Sequence, residues 1–178
     1  MDEKLMIRRE VRARIKAMSA DAKMAAARDI FSRAEATPPF RNAACVALFC
    51  AMNDEVPTSE ALARWRDMGK RVVVPRVEGD IMHFYDYSPD AISVGAFGIE
   101  EPTGDSVVAP EEIDLIIVPA RAFTRSGMRL GRGGGFYDKY MSLPSFRAYK
   151  LGVAFACQEF ESLPCDAHDI AVDMVVFG

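Results

Sequence analysis

Gly127-Met128-Arg129-Leu130-Gly131-Arg132-Gly133-Gly134-Gly135-Phe136-Tyr137-Asp138 carries the densest chemical potential in the chain. Glycines without Cβ atoms let backbone N–H groups converge on an anion, and Arg129 and Arg132 offer forked donors suited to phosphate oxygens. A helix beginning at the end of the stretch would add its positive dipole end. The combination reads as a phosphate cradle. It is not a Walker loop, because no Gly-Lys-Ser/Thr follows, and it is not the dinucleotide fingerprint, whose last glycine falls three positions after the second. Glycine richness alone also describes a flexible surface loop; the two arginines and the strand-to-helix setting favour the cradle. Lys4 and Arg8 share one face of a basic helix, which is usually a solvated face but is also open to an anion. Glu55, within Asn53-Asp54-Glu55-Val56-Pro57, follows an apolar strand at the end where α/β sheets bind ligands, although an ordinary acidic loop has the same composition.

Positioning a cradle takes a strand before it and a helix after it. Leu115-Ile116-Ile117-Val118 is the strongest strand signal, stopped by Pro119, and the glycine-rich loop opens into a helix over Phe136–Met141. Upstream, the apolar run Cys45–Cys50 predicts a strand covered on both faces, Thr58 stands where it could cap a helix that Gly69 ends, and Arg71–Pro75 predicts the next strand. Strand, helix and strand in that order form a βαβ unit with a parallel sheet and a right-handed crossover. An amphipathic basic helix is expected over Glu3–Met18, and a second, capped by Ser19, runs to about Glu35. Ile81–Tyr87 predicts a strand, Gly95, Gly98, Pro102 and Gly104 mark a turn-rich passage, and Leu151–Phe155 and Val172–Phe177 supply two more strands. The expected architecture is α/β: a three-layer Rossmann-like fold with a mostly parallel central sheet and helices on both faces, residues 1–178 forming a single domain.

Composition narrows the function classes. With 178 residues, 50% of them hydrophobic, the chain can bury one sizeable core. No run reaches the roughly 18 apolar residues of a membrane span, and the charged N-terminus does not resemble a secretory signal, so a soluble cytoplasmic protein is expected. A net charge of −4 argues against wholesale nucleic-acid binding. Cys45, Cys50, Cys157 and Cys165 lack metal-ligand spacing and are expected as reduced thiols. His83 and His168 read as structural histidines, and Trp65 as core.

Arg129-Leu130-Gly131-Arg132-Gly133-Gly134-Gly135-Phe136-Tyr137-Asp138 after an Ile-Val-Pro strand resembles the signature of the 5-formyltetrahydrofolate cyclo-ligase family. The likeness extends to Lys4 and Arg8, to Gly98-Ile99-Glu100-Glu101-Pro102, and to Leu163-Pro164 with His168-Asp169-Ile170-Ala171-Val172-Asp173. Phe136 replaces a tyrosine, Lys139 stands where arginine is frequent, and Thr124 where aspartate is frequent. The resemblance implies an enzyme that uses ATP as co-substrate and Mg²⁺ to convert 5-formyltetrahydrofolate into 5,10-methenyltetrahydrofolate. It implies that ATP is held by Lys4, Arg8 and residues 129–137 (Arg129, Leu130, Gly131, Arg132, Gly133, Gly134, Gly135, Phe136 and Tyr137), with Arg129 and Arg132 stabilising the transferring phosphoryl group. It places the folate on Cys50, Glu55, Arg132, Gly133, Gly134, Gly135 and Phe136. Asp138 and Asp169 become the candidate Mg²⁺ ligands, since Mg²⁺ prefers oxygen, and Asp173 a residue supporting them. A monomer with no nucleic-acid or membrane partner is expected. Two other readings remain open: a sugar-phosphate isomerase or CoA-transferase relative sharing the sheet, and a folate- or nucleotide-binding protein that regulates without catalysis.

Overall fold

The computed structural model describes residues 2–95 and 98–178. Helix α1 (Glu3–Lys16) starts where the Asp2 carboxylate accepts from the Lys4 amide, and α2 (Ala20–Glu35) where the Ser19 hydroxyl accepts from Ala22. Each cap satisfies one of the amides that a helix N-terminus leaves unpaired. A short α3 (Pro38–Asn42) leads into β1 (Cys45–Ala47), α4 (Ser59–Asp67) and β2 (Arg71–Glu78). Thr58 departs from expectation: it makes no side-chain cap. Its hydroxyl accepts instead from the Ala51 amide at 3.0 Å, which pins the loop between β1 and α4.

The chain then forms β3 (Ile81–Asp86), β4 (Ile92–Val94), β5 (Glu100–Pro102), β6 (Val107–Val108), β7 (Leu115–Val118), β8 (Ala122–Phe123) and β9 (Arg129–Leu130). Helix α5 (Phe136–Met141), β10 (Tyr149–Ala154) and β11 (Met174–Phe177) complete the order. Part of the turn-rich passage is thus a strand, β5, paired antiparallel with β4; its positions 96 and 97 lie outside the described residues. Thr124 closes the β8–β9 turn, its oxygen accepting from Met128 at 3.0 Å.

The main sheet runs β11-β10-β7-β1-β2-β3-β6. Its first five strands are parallel, β3 runs antiparallel to them, and β6 pairs antiparallel with β3. From β1 the chain crosses through α4 to β2 on one side, then returns to place β7 on the other side of β1. That reversal makes the β1/β7 boundary a topological switch point, where the carboxyl ends of neighbouring strands part and leave a crevice.

Alternation along the strands separates two cores. Val46, Leu115, Ile117, Leu151 and Val153 pack under α1 to α4, with Trp65 fully buried between Phe31 and Phe40. Ala47, Ile116, Val118 and Ala154 face the other side, where α5 contributes Tyr140 and Met141. Helices do cover both faces, but unequally. The thinner layer is the one carrying the glycine loop, so its face opens toward the switch point.

Candidate active site

A cleft of about 860 Å³ occupies the switch point. Every residue that the sequence nominated for ATP, folate or metal lines it: Lys4, Arg8, Cys50, Glu55, the whole run from Arg129 to Asp138, and Asp169. They converge from four places. Cys50 and Glu55 leave β1 at its carboxyl end, the glycine loop bridges β9 and α5, Lys4 and Arg8 project from α1, and Asp169 lies in the segment before β11.

Backbone geometry explains the glycines in the loop. Gly133 and Gly135 have φ of 116° and 71°, which L side chains rarely adopt. Gly134 faces a different limit, since a Cβ there would come 2.7 Å from the Phe136 ring. Arg8 holds the loop from α1, its Nε donating to the Gly131 carbonyl at 2.8 Å, with its guanidinium beside Gly133. Because α5 spans only six residues, its dipole contributes little, and an anion here would be held by the loop amides and the neighbouring cations.

The two loop arginines differ from each other. Arg129 belongs to β9 and is only 5% exposed, donating from Nη1 to Asp138 Oδ1 at 3.0 Å and from Nη2 to the Pro119 carbonyl at 3.2 Å. Its Nε has no hydrogen-bond partner among the described residues. Burial lowers its pKa, against the opposing pull of Asp138 and Tyr137. This side chain is part of the cleft floor rather than a free loop arginine, contrary to its reading from sequence. Arg132 is more exposed and reaches across to the loop after β1, bonding Asp54 and lying 3.6 Å from Glu55 Oε2.

Glu55 folds back on its own turn, Oε1 accepting from the Met52 amide at 2.9 Å. Burial pushes its carboxyl up, opposed by the Arg132 cation. Burial also pushes the Cys50 thiol up to about 12, so Cys50 is a neutral wall of the pocket rather than a nucleophile. Met52, Pro75, Val77 and Met82 extend the apolar wall beyond it. Sequence reading missed these, because strand residues that face a core and strand residues that face a cleft share one apolar pattern.

Lys4 closes the opposite end of the cleft, its ammonium 3.0 Å from Asp166 and 3.3 Å from Asp169. Asp138 Oδ1 accepts from both Arg129 and the Ile170 amide, so the segment carrying Asp169 is tied to the start of α5. That tie delivers Asp169 to the cleft. Asp166 and His168 join it in the lining; His168 is exposed there rather than structural. Asp173 is not part of the site: it accepts from the Lys150 amide at 2.8 Å at the amino ends of β10 and β11, the opposite edge of the sheet. No group of three or more His, Cys, Asp or Glu among the described residues is arranged to hold a metal ion. Asp138 and Asp169 nevertheless fit Mg²⁺ chemically, since that ion takes one or two carboxylates alongside substrate phosphates and water. The bonds of Asp138 fall on Oδ1 and those of Asp169 on Oδ2, which leaves each carboxylate a second oxygen as a ligand.

Sheet order and cleft together define a doubly wound α/β protein with a glycine-rich loop at its switch point. The model of the 5-formyltetrahydrofolate cyclo-ligase family matches residues 1–178. The 5-formyltetrahydrofolate cyclo-ligase of Escherichia coli K12 is 31% identical over 93% of this chain and 95% of its own length. That of Mus musculus is 28% identical over 96% and 91%. The solution structure of Aquifex aeolicus 5,10-methenyltetrahydrofolate synthetase is 35% identical, with a TM-score of 0.87 over 98% of this chain and 89% of that one. The chain belongs to the 5-formyltetrahydrofolate cyclo-ligase family. It is therefore an enzyme, a cyclo-ligase acting on folate, in a family that takes folate and ATP as substrates in general. Among the described residues no helix is long and apolar enough to cross a membrane.

Proposed function

We propose that this chain couples ATP cleavage to closure of the formyl group of 5-formyltetrahydrofolate, giving 5,10-methenyltetrahydrofolate, ADP and phosphate. The observation that carries it is a single cleft whose two ends differ in chemistry: a cationic glycine loop with Lys4 and Arg8 at one, and an apolar pocket with the half-buried Glu55 at the other. One end suits phosphates; the other suits a pterin, whose ring N–H groups are adjacent donors for a carboxylate. Residues 1–178 are taken as one domain, acting as a cytoplasmic monomer.

A formamide carbon is a poor electrophile and its oxygen a poor leaving group. In the proposed sequence the formyl oxygen attacks the γ-phosphorus of ATP and ADP departs, leaving an iminium phosphate. Nitrogen 10 then adds to the same carbon, the carbon–oxygen bond breaks, phosphate leaves with that oxygen, and nitrogen 10 loses its proton. Alignment and charge neutralisation carry most of such a reaction, and the ring closure is already intramolecular. Lys4, Arg8 and the loop amides bind the phosphates, Arg132 lies between them and the folate end, and Glu55 and Phe136 orient the pterin. Asp138 and Asp169 would hold Mg²⁺, which neutralises phosphate charge when bound.

The experiment is the growth of methenyl absorbance with purified protein. It should require ATP, cease on chelation by EDTA and return with Mg²⁺. Turnover without ATP would favour the isomerase-like reading, and binding without turnover the regulatory one. Within that assay, Glu55→Gln is expected to raise KM for formylfolate by about tenfold, the loss of one charge-assisted contact, while KM for ATP changes by less than about twofold. Equal effects on both substrates would move Glu55 out of the folate pocket.

A further inference from the structure

We propose that Asp54 is a positioning residue, anchored by the buried Arg121, that fixes Arg132 beside Glu55 and thereby seats the glycine loop against the folate end of the cleft. The proposal rests on the assignment of that end to folate. Its observation is a chain of four charges drawn from three segments. Asp54 lies in the loop leaving β1, Arg121 follows the carboxyl end of β7, and Arg132 sits in the glycine loop. Since β1 and β7 flank the switch point, the Asp54–Arg121 pair ties together the loops that leave those two strands.

Geometry assigns one carboxylate oxygen to each arginine. Arg121 Nη2 forms an ion pair with Asp54 Oδ2 at 2.7 Å, and Arg132 Nη2 donates to Oδ1. The Arg132 Nε then lies 3.6 Å from Glu55 Oε2. The side chain of Arg121 is only 10% exposed, so its cation needs a counterion, and among the described residues Asp54 is the carboxylate that pairs with it. Asp54 is therefore committed to one position. Burial would raise its carboxyl pKa, yet the two arginines outweigh that and hold it below the usual range, so it stays charged.

The loop holding Asp54 is itself fixed before any ligand arrives. Thr58 binds the Ala51 amide and Glu55 binds the Met52 amide, clamping the turn at both ends. Arg132 has no comparable support. It is 36% exposed on a glycine-rich loop, and without Asp54 its long side chain would sample many rotamers. One fixed carboxylate thus orders a mobile cation where the formyl and phosphoryl groups must meet.

The test is a kinetic cycle in the methenyl assay on the full chain with Asp54→Asn, Arg132→Gln and the double variant. Asp54→Asn is expected to raise KM for formylfolate about tenfold, to leave KM for ATP within about twofold, and to add less than about twofold to the defect of Arg132→Gln. A purely structural role would lower the active fraction, and so kcat, with both KM values unchanged. That result, wild-type kinetics in Asp54→Asn, or losses that multiply in the double variant would each overturn the proposal. Should Asp54→Asn fail to fold because Arg121 is left unpaired, Asp54→Ser with Arg121→Met removes both buried charges, and the same cycle with Arg132→Gln carries the same expectations. An inactive wild-type protein would instead refute the cyclo-ligase reading itself.

Discussion

Replacing Gly133 with valine is expected to abolish measurable turnover, a fall of at least about a hundredfold, while the protein remains folded. The reason lies in the backbone. At a φ of 116° a β-branched residue is a severe outlier, costing on the order of 1–3 kcal/mol wherever the surroundings enforce it. Nothing does so here, because Gly133 is exposed and the loop can relax. A relaxed loop no longer converges its amides, so the strain is released at the expense of the anion site. Steric blockage is a smaller factor: a Cβ at this position would lie 3.8 Å from the Arg8 guanidinium, an ordinary contact, although valine's methyl groups would press on that cation. Gly134 makes a useful comparison, since there the obstacle is the Phe136 ring and not φ. Circular dichroism and the methenyl assay check the result together. Near-normal turnover in a folded Gly133→Val protein would reduce the loop to a linker.

Local signals carried most of the architecture. Ser19 caps α2, the basic amphipathic pattern yields α1, and Leu115–Val118 forms the central β7, because each depends on neighbours within a few residues. The cleft lining was legible for a related reason. Glycines at positive φ, cations at helical spacing and a carboxylate just past a strand all declare themselves in the local chain, and the family resemblance supplied the pairing between distant segments.

What stayed hidden depended on distant partners. Thr58 precedes a helix, so capping was the natural expectation, yet its hydroxyl is used by Ala51 across a loop whose path no local pattern reveals. Asp173 lies only four residues beyond Asp169, but the chain between them runs from the cleft to the amino ends of β10 and β11, which separates them functionally. Arg121 gave no signal at all: a single arginine after a strand looks exposed until the loop from β1 folds over it. The unequal helical layers are likewise a property of how the segments connect, although the six-residue α5 itself has the length read from sequence.

Arg129 illustrates the same limit and leads to the second large effect. Read as a loop residue, its replacement should weaken ATP use and spare the fold; placed in β9 at 5% exposure, it should do neither so simply. Arg129→Ala removes the guanidinium that pairs with Asp138 and bonds the Pro119 carbonyl, leaving a space in the floor and a carboxylate deprived of its cation. Breaking a buried pair by deleting one partner costs about 3–5 kcal/mol, and the partial exposure of Asp138 places this case near the low end. For a chain of this size that corresponds to a fall in Tm on the order of 10 °C. Activity should drop more than a hundredfold even at temperatures where the variant is folded, because Asp138 also receives the Ile170 amide and so links the glycine loop to the segment that carries Asp169. Arg129→Lys should recover little of either property, since one ammonium cannot reproduce a planar fork that serves two acceptors at once. Thermal melts followed by turnover at a permissive temperature separate the two effects. A variant that melts with the wild type and shows only a raised KM for ATP would return Arg129 to the role of a free phosphate ligand and dissolve the link to Asp138.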